Sequence, residues 1–121
     1  MMELARAIPD VVHLEVGDPD FITPQHIIDG AAAAAAAGFT KYTASAGLLS
    51  LRELIAEKVT TRNHLPSTAD QVVVTAGGGG GLFTTMLAIL DPGDEVLVPN
   101  PWWPGYPAAI HVARGIPKPY A

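Results

Sequence analysis

Apolar and polar positions along the chain change period several times, and each change marks an element. Residues 11–16 form a short extended run interrupted only by His13 and Glu15. It ends in the turn cluster Gly17-Asp18-Pro19-Asp20, where Asp18 precedes a proline and is pushed out of the helical region. Thr23-Pro24 opens a helix. The threonine hydroxyl is placed to accept from an orphan amide, and the proline sits where a missing N–H costs nothing. The helix runs through the alanines to Gly38. Residues 39–46 read as a loop.

A second helix begins near residues 47–50 and runs to about Asn63. Leu48, Leu51, Leu54, Ile55, Lys58 and Val59 fall at helical spacing, with Arg52, Glu53, Glu57 and Arg62 elsewhere. Residues 71–75 predict a compact strand centred on Val72-Val73-Val74. Five glycines follow, Gly77 to Gly81, and then an apolar stretch, residues 82–90, long enough for a helix. Asp91-Pro92-Gly93-Asp94 is a turn, residues 95–98 a further strand, residues 104–113 a short helix, and Ile116 starts a third extended run. Strand, helix, strand, helix, strand is the alternation of a parallel α/β unit, and its strands are continuous apolar runs as both-sided burial requires. A parallel sheet that stops within a strand leaves an edge unpaired, so the chain is expected to be cut from a larger domain.

Composition narrows the classes. The chain has 121 residues, with 16% charged and 49% apolar, which suits one folded domain and excludes a disordered segment. A formal charge of −5 speaks against a nucleic-acid partner. No cysteine is present, so disulfides and thiolate metal sites are ruled out. No secretory signal and no membrane-spanning run is visible, and a cytoplasmic location is expected.

Two stretches carry candidate chemistry. A glycine run between a strand and a helix lets backbone amides approach an anion at the helix N-terminus. The run lacks the Gly-Lys-Ser/Thr of a Walker loop and meets dinucleotide spacing only trivially. The plainer alternative is a tight turn that needs glycine. The second stretch is Asn100-Pro101-Trp102-Trp103-Pro104-Gly105-Tyr106. It follows a strand end, where open α/β sheets bind ligands, and a tryptophan there can stack on a flat heteroaromatic ring. Its plainer alternative is a core or subunit-contact tryptophan. His13, His26, His64 and His111 are scattered without metal-like spacing, and metal ligands are expected to be none. Asp18 with Asp20 and Asp91 with Asp94 read as turn formers.

Taken in order, these segments resemble the class I/II aminotransferases of aspartate aminotransferase type. The opening Val16-Gly17-Asp18-Pro19-Asp20-Phe21-Ile22-Thr23-Pro24 is similar to the family's G-x-P-x-F-x-x-P. Tyr42 with Ala46-Gly47 and Leu51-Arg52 resembles Y-x-x-x-x-G-x-x-x-L-R, and Val73-Val74-Thr75-Ala76-Gly77-Gly78 its cofactor-phosphate turn. Leu90-Asp91-Pro92-Gly93-Asp94-Glu95-Val96 and Pro99-Asn100-Pro101-Trp102-Trp103-Pro104-Gly105-Tyr106 resemble its D-P-G-D-E-V turn and P-x-P-x-W/Y-x-x-Y loop. The five segments cover nearly the whole chain.

The resemblance implies an α/β fold: part of the three-layer αβα large domain of a fold type I enzyme, its parallel-type sheet truncated after the first strands. Residues 1–46 would form an amino-terminal segment with a dimer-contact loop, and residues 47–121 the start of the cofactor-binding domain. It implies pyridoxal phosphate as cofactor, amino acids and 2-oxo acids as substrates, and a homodimer. Gly78 and Gly79 would offer amides to the cofactor phosphate, and Trp103 would stack on the pyridine ring. Tyr42 would reach the phosphate of the partner subunit, Gly17 would lie beside the substrate carboxylate, and Arg52 would fix its helix. Family members often carry a side chain where this sequence has Gly79 or Gly80, so a hydroxyl contact is missing. Lys41, Lys58 and Lys118 are the only lysines, and none stands in the context of the family's Schiff-base lysine. No catalytic residue is therefore assigned, and the chain alone is expected to be inactive. The same stretch would suit a pyridoxal-phosphate lyase or synthase, an aminotransferase-like regulator, or a non-catalytic remnant that binds phosphate or a partner.

Overall fold

The computed structural model describes residues 2–14 and 16–121. They form two compact units, residues 1–42 and residues 43–121, each described by itself.

The first unit holds two helices. Helix α1, Met2–Arg6, carries Glu3 in its first turn and Arg6 in its last, charges that complement the helix dipole. The sequence reading assigned no element there. Helix α2, Gln25–Ala36, begins one residue after Pro24, whose carbonyl accepts from the amides of Ile27 (2.9 Å) and Ile28 (3.3 Å). No side chain caps it, so the expected role of Thr23 is not realised. The helix closes where the Phe39 amide donates to the Ala34 carbonyl at 3.0 Å. Residues 11–14 form no regular element; Glu15, the next residue of the expected extended run, lies outside the described residues.

The second unit starts with helix α3, Leu49–Asn63, which stops at His64 in the left-handed conformation. Its covered face differs from the expected one. Arg52, Ile55, Ala56 and Val59 are buried or half-buried, while Leu48, Leu51 and Leu54 are exposed. The cause is the neighbour α3 packs against, a single 3-10 turn at Ala69–Gln71. Arg52 Nε donates to the Val72 carbonyl (2.9 Å) and Arg52 Nη2 to the Ala69 carbonyl (2.6 Å). These bonds hold the Arg52 side of α3 inward.

Residues 72–75 are extended without forming a strand. Their ladder contact is a single bond, from the Val74 amide to the Ala46 carbonyl at 3.0 Å. An apolar run becomes a strand only when another strand accepts its amides. Helix α4, Gly77–Ile89, starts five residues earlier than Leu82 and takes in the whole glycine run. The turn after it is held by the Asp94 carboxylate, which accepts from the Asp91 amide at 2.9 Å, while the Asp94 amide donates to the Asp91 carbonyl at 3.1 Å. These aspartates are turn formers, as read.

Strand β1, Glu95–Pro99, helix α5, Gly105–Val112, and strand β2, Ile116–Tyr120, complete the unit. β1 and β2 pair in parallel from Glu95 opposite Ile116 to Pro99 opposite Tyr120, with α5 as the crossover. The α/β class and parallel pairing match the sequence reading. The core sits between α5 and the sheet: Val98, Ala109, Ile110 and Ala113 are buried. Leu82 and Met86 of α4 join Val98, Tyr106 and Ile110 around a cavity of about 220 Å³. Among the described residues, no helix is long and apolar enough to cross a membrane.

Candidate cofactor site

The carboxyl end of β1 and the amino end of α4 both belong to the second unit, and they supply the candidate chemistry. Gly77 enters α4 with φ +70, a conformation that β-branched and bulky residues avoid. Its amide turns back to the Thr75 carbonyl at 2.9 Å, and the Thr75 hydroxyl donates to the Gly77 carbonyl at 3.0 Å. The next amides, of Gly78 and Gly79, belong to the first helical turn and have no intrahelical acceptor. Gly78 and Gly79 are exposed, and a side chain at Gly78 would meet nothing within 4 Å. Positive dipole and open amides together suit an anion.

Trp103 leaves the chain just after β1 and lies across this turn. A Cβ built at Gly79 would stand 4.0 Å from the far edge of its indole, at Cη2. Trp103 is 55% exposed, and an exposed indole can stack on a flat ring. Tyr106 meets it edge to face, with centroids 5.6 Å apart and planes at 82°. The Tyr106 amide donates to the Trp103 carbonyl at 3.0 Å, closing the loop into α5. The structure thus brings Trp103 to the Gly79 position, with Gly78 next to it in the chain. Trp102 is 39% exposed and has no such relation to the turn.

Gly17 and Tyr42 belong to the first unit. Gly17 is exposed, with open space where a Cβ would stand, and the Tyr42 side chain is fully exposed. Of the lysines, Lys58 donates to Asn63 Oδ1 at 2.8 Å and Lys118 pairs with Glu95 Oε1 at 2.9 Å. Among the described residues, no group of three or more His, Cys, Asp or Glu could hold a metal ion.

Three contributors, each part of a stretch noted in the sequence, were given no role of their own there. Thr75 shapes the glycine turn, Tyr106 braces the indole, and Gly105 lies beneath it. The visible signal for Gly105 was a glycine two residues after a tryptophan. Spacing alone does not say which way an indole folds.

A glycine turn with open helix-terminal amides and an adjacent aromatic ring at a strand's carboxyl end place an anion-compatible turn beside a flat apolar surface. The family model for class I and II aminotransferases matches residues 9–121, and the chain belongs to that family. It is 46% identical over 116 residues to a probable aspartate/prephenate aminotransferase of Thermus aquaticus, covering 96% of this chain and 30% of the relative. It is 44% identical over 115 residues to the aspartate aminotransferase of Geobacillus stearothermophilus, covering 95% of this chain and 29% of that protein. Among solved structures, the aspartate aminotransferase of Thermus thermophilus with maleate superimposes with a TM-score of 0.89 at 45% identity. That match covers 98% of this chain and 31% of the solved one. The chain spans about 30% of the length of these relatives.

Proposed function

We propose that these residues form the cofactor cradle of an aminotransferase that moves an amino group between an amino acid and a 2-oxo acid with pyridoxal phosphate. The observation that supports this most is the contact between the Trp103 indole and the Gly79 position, at the open amides of α4. A phosphorylated pyridine needs both at once, an anion seat and a flat apolar face beside it. The family implies the cofactor, and the residues present fit it. When bound, it supplies an electron sink for charge developing at the substrate α-carbon.

The chain's own residues bind and orient. Gly78 and Gly79 direct amide dipoles at the phosphate, which fixes one end of the cofactor without a side-chain charge. Trp103 covers the ring and shields it from water. Gly17 offers its backbone to the substrate carboxylate, and Tyr42 reaches the phosphate of a partner subunit in a cytoplasmic homodimer. The division at residues 46 and 47 separates this dimer-contact segment from the cradle. The relatives are named for aspartate and prephenate, so aspartate is the first donor to try.

No side chain in these 121 residues takes the part of the Schiff-base lysine. Lys58 and Lys118 are engaged with Asn63 and Glu95, and neither is among the residues beside the glycine turn. The absorption spectrum tests this. After pyridoxal phosphate is added and the excess removed, the 121-residue chain should retain no visible band that responds to aspartate. A retained band that shifts with aspartate would mean that Lys41, Lys58 or Lys118 serves, and this part of the proposal would be lost. When the same sequence is continued to the length of its relatives, it should transfer the amino group of aspartate to a 2-oxo acid. Bound cofactor without transfer, over a panel of amino acids, would point to a lyase or synthase instead.

A further inference from the structure

The indole of Trp103 occupies space that belongs, by backbone geometry, to residue 105. A Cβ built on Gly105 would overlap the six-membered ring of Trp103 at Cζ3, Cη2 and Cε3. No other glycine of the chain is overlapped so deeply by a side chain. Three observations surround this overlap. The ring's far edge stops at the Gly79 position, where a Cβ would make an ordinary contact at 4.0 Å. Tyr106 braces the ring edge to face. The Tyr106 amide bonds to the Trp103 carbonyl, so the loop cannot widen without losing that bond.

From this we infer that Gly105 is a positioning residue: its missing side chain is the seat that lays the Trp103 indole back over the start of α5 and against the glycine turn. Any side chain at 105 drives the ring out of that seat. The consequence for the cofactor rests on the proposed stacking role of Trp103, but the seat itself does not. Gly105 is the first residue of α5, and its φ lies outside the left-handed region. Backbone preference alone therefore favours alanine there. A merely local role predicts that Gly105→Ala stabilises the chain, and a seat predicts the opposite, with a change at the indole.

Trp102→Phe leaves Trp103 as the sole tryptophan of the 121-residue chain, so its emission and near-ultraviolet dichroism report one ring. In that background, Gly105→Ala should red-shift the emission and collapse the near-ultraviolet band, while far-ultraviolet dichroism keeps its helical signal. Gly79→Ala should leave both Trp103 signals unchanged. If Gly105→Ala fails to fold, Trp103→Ala combined with it should restore folding, because removing the ring removes the overlap. Unchanged Trp103 signals in a folded Gly105→Ala chain, or no rescue by Trp103→Ala, would overturn the inference. Quenching of Trp103 by added pyridoxal phosphate then separates the two readings. If Gly105→Ala moves the indole signals and weakens quenching several-fold, the seat serves the cofactor. If the signals move but the parent shows no quenching either, the seat stands and the stacking role fails.

Discussion

Arg52 shows how one side chain can decide the orientation of a helix. Its guanidinium donates to the carbonyls of Ala69 and Val72 at 2.6 and 2.9 Å, and its side chain is only 14% exposed. The nearby Asp70 carboxylate, at 3.5 Å, is 97% exposed and adds little in water. The stabilisation therefore lies in the two charged hydrogen bonds to backbone. Arg52→Met keeps the apolar stem and removes both donors. It should cost about 2–3 kcal/mol, read as a lower urea midpoint at unchanged slope. A midpoint equal to the parent's would show that the bonds contribute nothing net. Gly47 poses a different constraint. It has φ +98, and a Cβ there would approach Val74 Cγ2 at 2.7 Å, beside the bond from the Val74 amide to the Ala46 carbonyl. Gly47→Ala combines backbone strain with overlap, and should destabilise by roughly 1–3 kcal/mol. A melt within error of the parent would refute the close approach.

Helix α4 carries five glycines in its first turns, and each weakens a helix relative to alanine. They are not equivalent. Gly77 has a positive φ, while the amides of Gly78 and Gly79 stand at the candidate anion site. Gly80 has ordinary helical geometry, and a Cβ there would rest at 3.7 Å from the Ala76 Cβ and 3.8 Å from the Thr75 Cβ. Gly80→Ala should therefore stabilise the chain by about 0.5–1 kcal/mol, seen as a higher thermal midpoint with added helical dichroism. A lower midpoint would mean that the first turns of α4 are not helical as described. The glycine run was legible as a feature, but its place inside the helix was not. Glycine's low propensity argues for a turn, and only the continuation of hydrogen bonding into residues 82–89 makes these residues helical.

Across residues 43–121, the buried apolar side chains are few, while many large ones stay in contact with water. Val73, Leu87, Ile89, Leu97, Val112 and Ile116 are all exposed, from 44% to 73%. Exposed apolar surface on this scale binds hydrophobic dyes and promotes association. The purified chain should enhance anilinonaphthalene sulfonate fluorescence and scatter more light as its concentration rises. A monomeric chain that leaves the dye dark would show that these side chains are covered in solution. The exposure also explains why the sequence reading overstated the sheet. Val72-Val73-Val74 has the composition of a buried strand, yet its amides find only the Ala69 carbonyl, from Val72, and the Ala46 carbonyl, from Val74.

Local chemistry along the chain was enough to determine α2, α3, β1, α5 and β2 and their order. The alanine tract makes α2, the aspartate-bracketed turn separates α4 from β1, and the two apolar runs around α5 pair in parallel. Each of these depends on neighbours a few residues away, so periodicity and turn residues specify them. The ordered motifs, from Gly17 through the glycine run to Tyr106, likewise carried the family and the identity of the candidate residues. Long-range contact governed the rest. The inward face of α3 followed from carbonyls 17 and 20 residues beyond Arg52, which no helical period encodes. The extended stretch at 72–75 lacks a ladder because pairing needs a second strand. The resting place of the Trp103 indole depends on an absent side chain, at position 105, and empty space is visible only once the chain has folded around it.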